Sequence, residues 1–82
     1  MKSLDSLSEE INKLNQELVI LLDKHLKVVQ EIEIVKRQIN LPIFDTQREQ
    51  DILKKISESS QFPEQTKEIF QKIMEQSRKV QE

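Results

Sequence analysis

Between Leu4 and Ile39 the chain reads LDSLSEEINKLNQELVILLDKHLKVVQEIEIVKRQI, and the fold follows from how its apolar residues are spaced. Leu4, Leu7, Ile11, Leu14, Leu18, Leu21, Val28, Ile32, Val35 and Ile39 recur at alternating steps of three and four, with His25 in the one polar place. That spacing is a heptad seam and predicts one helix over about Leu4–Ile39. Leu22 and Val29 widen the stripe on one flank, while Val19, Ile20, Leu26 and Ile34 lie off it. A two-stranded coiled coil has no use for apolar surface on several sides, whereas packing against several helices does. Ser3 is placed to cap the helix, with Asp5 in its first turn. Glu9–Lys13, Asp23–Lys27 and Glu33–Arg37 are spaced as favourable i,i+4 ion pairs.

Such a helix is roughly 54 Å long at 1.5 Å per residue. A compact chain of 82 residues has a radius of gyration of only about 12 Å. Two shorter helices cannot cover both ends of that rod, but a second copy of the chain can. A homodimer is therefore expected.

Downstream, Asn40-Leu41-Pro42-Ile43-Phe44 breaks the helix, since Pro42 cannot continue it and restricts Leu41. A second helix is expected from Asp45 or Thr46, where Thr46 and Glu49 fit a capping box, with Ile52, Leu53 and Ile56 as its apolar stripe. Gln61-Phe62-Pro63 makes the next turn, and Pro63 suits the first turn of a third helix carrying Ile69, Phe70, Ile73, Met74 and Val80. The fold class expected is all-α, one long and two shorter helices forming a single domain over residues 1–82 in an intertwined homodimeric bundle.

Composition narrows the chemistry. There is no cysteine and a single histidine, and no Asp-rich loop, so no metal site is expected. Net charge is −2 with both signs interspersed, and Trp and Tyr are absent. Neither a basic stripe nor an aromatic platform argues for nucleic acid. The longest apolar run, Leu18–Leu22, is far short of a membrane span. No signal-peptide pattern opens the chain, so a cytoplasmic location is expected.

Several polar residues stand where apolar ones belong. Lys36 occupies the flank position of Leu22 and Val29. Asp45, Arg48 and Glu49 share one face at i, i+3 and i+4. Ser77 and Gln81 continue the line of Phe70, Ile73 and Met74, and His25 interrupts the seam. Taken singly, these read as a snorkelling lysine, a cap with local ion pairs, a solvated helix end and a specificity device.

Taken together, their order matters. Ile11-x-x-Leu14-Asn15-x-x-Leu18-x-x-Leu21-Leu22, then Lys36, then Leu41-Pro42-Ile43-x-Asp45-x-x-Arg48-Glu49-x-x-Ile52-Leu53, then Ile69-Phe70-x-x-Ile73-Met74-x-x-Ser77-x-x-x-Gln81 resembles the all-helical class of chorismate mutases over nearly the whole chain. The resemblance implies an intertwined dimer whose long helices pair, conversion of chorismate to prephenate on the way to phenylalanine and tyrosine, and no cofactor. It implies that Lys36 and Gln81 donate to the ether oxygen of the breaking bond, and that Lys36 also reaches a carboxylate. Arg48 and Ser77 would hold a carboxylate, while Glu49 and Asp45 would handle the ring hydroxyl. Two positions depart from the family pattern. Arginines usually stand where this chain has Ser8, contributed across the dimer, and His25; both grip carboxylates. Asn15 also replaces a common aspartate.

An intramolecular Claisen rearrangement needs a flexible dianion held in a compact chair and charge stabilised on the ether oxygen. A cation at Lys36 and a donor at Gln81 suit the second task, and a Glu49 carboxyl that kept its proton would donate as well. Losing two arginines weakens the first, because a charge-assisted hydrogen bond is worth roughly 1.5–3 kcal/mol. Weak capture is expected at neutral pH, improving toward pH of about 6 if His25 takes up a proton in the complex. Three other readings compete: an inactive relative keeping the helical dimer, a lyase removing pyruvate from isochorismate on the same fold, and a plain helical adaptor.

Overall fold

A computed structural model describes residues 2–81; Met1 and Glu82, the two ends of the expected 1–82 domain, lie outside the described residues. The order is α1 (Leu4–Gln38), α2 (Thr46–Glu58) and α3 (Pro63–Gln81), with no strand among the described residues.

Helix α1 starts where expected. The Ser3 hydroxyl accepts a hydrogen bond from the Ser6 N–H at 3.1 Å. Its end is set earlier than Pro42 by a left-handed cap. Ile39 is the C-cap, and Asn40 follows at φ 59°, a region asparagine tolerates better than most residues. Leu41 N–H then donates to Lys36 C=O at 2.8 Å and Asn40 N–H to Arg37 C=O at 3.4 Å. These are the two bonds of a Schellman motif. Of the three expected i,i+4 ion pairs only Glu33–Arg37 closes among the described residues; the other two are too exposed to hold their long side chains in one geometry.

The capping box at Thr46 does not form. Asp45 is the N-cap, its carboxylate accepting from Arg48 N–H at 3.1 Å. A carboxylate one residue earlier outcompetes the threonine hydroxyl, and the shift puts Glu49 one place past the position that reaches back to a cap. The Glu49 side chain is left free to face α3. Beyond α2, Ser60 bridges the turn, bonded to Thr66 Oγ1 at 2.7 Å and accepting from Phe62 N–H at 3.0 Å. Pro63 opens α3, where it has no N–H to leave unpaired.

Helix α3 lies in the middle, packing on α2 along one side and on α1 along the other, while the described residues of α1 and α2 do not meet directly. The molecule measures 55 × 23 × 16 Å with a radius of gyration of 16.0 Å. The long axis is the length of α1, and the radius exceeds the compact expectation because that rod projects beyond its partners. From Lys2 to His25 every residue is exposed. Leu18 and Leu21 in mid-seam are 55% and 60% exposed, and among the described residues Leu53 alone of the apolar ones is buried in the chain's own fold. An apolar stripe of this length, flanked by charge, is therefore left uncovered by the described residues.

Candidate functional site

The second half of α1 has a different neighbour. His25, Val29, Ile32 and Lys36 stand at i, i+4, i+7 and i+11, one face of the helix. That face, the connection after α1, the first turns of α2 and the last turns of α3 enclose a cleft of about 220 Å³. Its apolar wall comes from Val29, Ile32, Ile52, Ile56, Phe70 and Ile73. His25 is thus an exposed residue at the head of the cleft-facing stripe, not a misfit in a core.

Seven of the eight residues expected from sequence line this one cleft: His25, Lys36, Asp45, Arg48, Glu49, Ser77 and Gln81. Ser8 does not. It is exposed on α1, seventeen residues before His25, or roughly 26 Å along the axis.

Each polar tip is held by a specific partner. The Schellman turn folds the connection back over the end of α1, and the half-buried Lys36 amine donates to the Ile43 carbonyl at 3.3 Å. An ammonium has three N–H groups, so two remain to be used. Gln81, 52 residues along the chain from Val29, donates its amide to the Val29 carbonyl at 3.3 Å. This bond draws the end of α3 onto α1 and leaves the other amide N–H and the carbonyl oxygen available. Ser77 is buried, and its hydroxyl donates to Ile73 C=O one turn earlier at 2.8 Å. Its oxygen still accepts, but to donate elsewhere the hydroxyl must rotate. Asp45 is engaged as the α2 cap, and the Arg48 backbone answers it; the Arg48 guanidinium has no hydrogen-bond partner among the described residues.

Glu49 brings in a residue the sequence reading passed over. Arg78 Nη1 donates to both carboxylate oxygens of Glu49, at 3.0 and 2.8 Å. The guanidinium carbon also lies 4.9 Å from the centre of the Phe44 ring, within cation–π range. Arg78 therefore ties α3 to α2 and to the connection at once, and it too lines the cleft. A basic residue in the last turn of a helix is ordinary complement to the helix dipole, which is how Arg78 reads in isolation. Its neighbours Ser77 and Gln81 were the available signal.

The cleft wall thus carries three fixed cations, Lys36, Arg48 and Arg78, against two carboxylates, Asp45 and Glu49. Among the described residues no group of three or more His, Cys, Asp or Glu side chains is placed to hold a metal ion. No described helix is long and apolar enough to cross a membrane. A partly apolar cleft with a small positive excess, amine and amide donors, and no paired nucleophile and base suits orientation of a small organic anion.

Comparison with known proteins bears on this geometry. Residues 7–82 match the family model described as chorismate mutase type II. Over 56 residues the chain is 36% identical to the bifunctional chorismate mutase/prephenate dehydratase of Aquifex aeolicus (strain VF5), a match that takes in 68% of this chain and 16% of that much longer protein. The fold is shared with form II chorismate mutase from Thermus thermophilus, at a TM-score of 0.91 and 24% identity over 98% of this chain and 94% of that one. It is shared also with a conserved hypothetical protein from Pyrococcus furiosus, at a TM-score of 0.83 and 36% identity over 100% and 99% of the two chains.

Proposed function

We propose, because this chain belongs to the chorismate mutase type II family, that its cleft rearranges chorismate to prephenate, and that the working unit is a cytoplasmic homodimer. What carries this reading is the convergence on one cleft of side chains from all three helices, with Lys36 and Gln81 both in its lining. A plain adaptor gives no reason for that convergence.

The reaction breaks an ether C–O bond and forms a C–C bond within one molecule. No proton need move and no covalent intermediate with the protein is needed. The protein's work is to fold the substrate and to stabilise the negative charge gathering on the ether oxygen. Lys36 and Gln81 are assigned the second role. Both are tethered by backbone carbonyls and so need little reorganisation, which is the condition under which fixed donors are most effective. Arg48 and Ser77 hold a carboxylate, and Asp45 and Glu49 take the ring hydroxyl. As a carboxylate accepting from Arg78, Glu49 acts as an acceptor for that hydroxyl rather than as a donor.

The dimer reading rests on the bare half of α1. A second copy laid along it covers the seam and carries its own Ser8 toward the first copy's cleft. Ser8 and His25 stand where arginines are usual, so capture is expected to be weaker by roughly tenfold to over a hundredfold per missing contact.

The test is loss of chorismate absorbance with purified protein, run beside Lys36→Ala. Conversion by the wild type that falls to background in the variant supports the assignment. No conversion above the uncatalysed rate, or equal rates in the two proteins, would sink it. Sedimentation on the same sample checks the dimer; a monomer at working concentration would remove that part.

A further inference from the structure

We propose that Arg78 is a substrate-gripping residue of this cleft, supplying positive charge that Ser8 and His25 do not; this rests on the reaction assigned above. Three observations lead there. The first is charge. Without Arg78 the wall would hold Lys36 and Arg48 against Asp45 and Glu49, a neutral lining for a substrate with two carboxylates. With it the lining has a net positive charge, and the Glu49 carboxylate, which would otherwise repel a dianion, is paired.

The second observation is donor capacity. Both bonds to Glu49 come from Nη1. A guanidinium has five N–H groups in a planar fork, and Nε and Nη2 have no partner among the described residues. They form the edge that pairs with a carboxylate through two parallel hydrogen bonds.

The third is preorganisation. Stacking over Phe44 and the grip on Glu49 fix the plane of the fork from two elements, while the side chain stays 40% exposed and within reach of a ligand. A partly exposed ion pair contributes little to stability on its own, typically about 0–1 kcal/mol. Holding α2 to α3 is therefore a small part of what Arg78 does.

The experiment compares wild type, Arg78→Met and Arg78→Lys, each alone and combined with His25→Arg. Steady-state kinetics and calorimetric binding of chorismate are read together with helix content and sedimentation. Arg78→Met is expected to raise KM and the dissociation constant about tenfold to a hundredfold, to change kcat by less than about threefold, and to leave the helices and the assembly intact. Arg78→Lys should recover part of the loss. His25→Arg should lower KM by a larger factor in Arg78→Met than in the wild type, because it returns a cation to the same cleft, whereas a merely structural role for Arg78 predicts the same factor in both. An Arg78→Met protein with wild-type KM and affinity overturns the proposal, as does a loss relieved by neither partner change. If the wild type binds chorismate without converting it and Arg78→Met weakens that binding, the gripping role stands and the reaction assigned above fails. Turnover with KM indifferent to Arg78→Met has the reverse meaning, and a wild type that neither binds nor converts chorismate retires both.

Discussion

The two halves of α1 carry the same three-and-four repeat and meet different surroundings. From Leu4 to Leu21 the seam is uninterrupted, and the described residues leave it exposed. From His25 to Lys36 polar residues enter the stripe, α3 lies alongside, and the face opens into a cleft. A hydrophobic repeat thus specifies a helix and a buried face but not what buries it. Where the stripe is wholly apolar it calls for another apolar surface. Where a lysine or histidine interrupts it, the neighbouring helices stand off and a cavity takes the place of a core.

The contrast breaks most completely if the first half is made polar. Leu14→Glu with Leu18→Glu is expected to abolish the dimer and to unfold much of α1. Each leucine buried in an assembly contributes about 2–5 kcal/mol by the measure of its truncation, and the change occurs in both copies. Sedimentation and circular dichroism read the outcome. A protein that kept its mass and helix content would show that the seam is solvated in the working unit.

The second half should respond in the opposite sense. Lys36→Ala is expected to leave helix content and assembly unchanged, since the residue is only half-buried and its one side-chain hydrogen bond among the described residues is to a loop carbonyl. It is expected to lower kcat by on the order of a hundredfold to a thousandfold, the usual effect of removing one preorganised donor. A fall in melting temperature with kcat intact would move Lys36 from the chemistry to the architecture.

Ser8 and His25 sharpen the contrast, because one lies in each region. Ser8→Arg with His25→Arg is expected to raise kcat/KM by about tenfold to a hundredfold through restored carboxylate contacts. The Ser8 share of the gain should vanish on dilution to monomer, since Ser8 is far from its own chain's cleft. A gain from Ser8→Arg that survived in the monomer would contradict the assignment of that residue to a second copy.

How much of this could be read from the residues depended on the kind of signal. The long helix was legible because its spacing is strictly periodic and its length is arithmetic: roughly 54 Å expected, 55 Å along the long axis. Pro63 marked its helix start for an equally simple reason. The α2 cap was misplaced by one residue because Thr46-x-x-Glu49 and Asp45-x-x-Arg48 are overlapping candidates, and only the backbone at Asp45 decides between them. Arg78 was passed over because its partners, Glu49 and Phe44, are on other elements. Seven of the polar residues singled out in advance line one cleft, yet their individual bonds could not be anticipated. The Ile43, Val29 and Ile73 carbonyls that hold Lys36, Gln81 and Ser77 are backbone groups, on which side-chain identity is silent.

The smallest expected effect lies where α1 stops. Asn40 sits at φ 59° and allows the Schellman bonds from Leu41 and Asn40 to close the last turn. Alanine in that conformation costs about 1–2 kcal/mol relative to the right-handed region, a penalty asparagine partly escapes by local hydrogen bonding and glycine avoids. Asn40→Ala should therefore lower stability by about 1 kcal/mol, a shift of several degrees in Tm for a domain of this size. Asn40→Gly should stay within about 0.5 kcal/mol of wild type, lower strain being offset by the greater freedom of the unfolded chain. The kinetic consequence is the finer test. The same turn seats the connection whose Ile43 carbonyl holds the Lys36 amine, so any loosening should appear in kcat before KM. If Asn40→Ala lowered Tm and left kcat untouched, the cap would serve only to end the helix, and the amine would owe its position to the cleft wall instead.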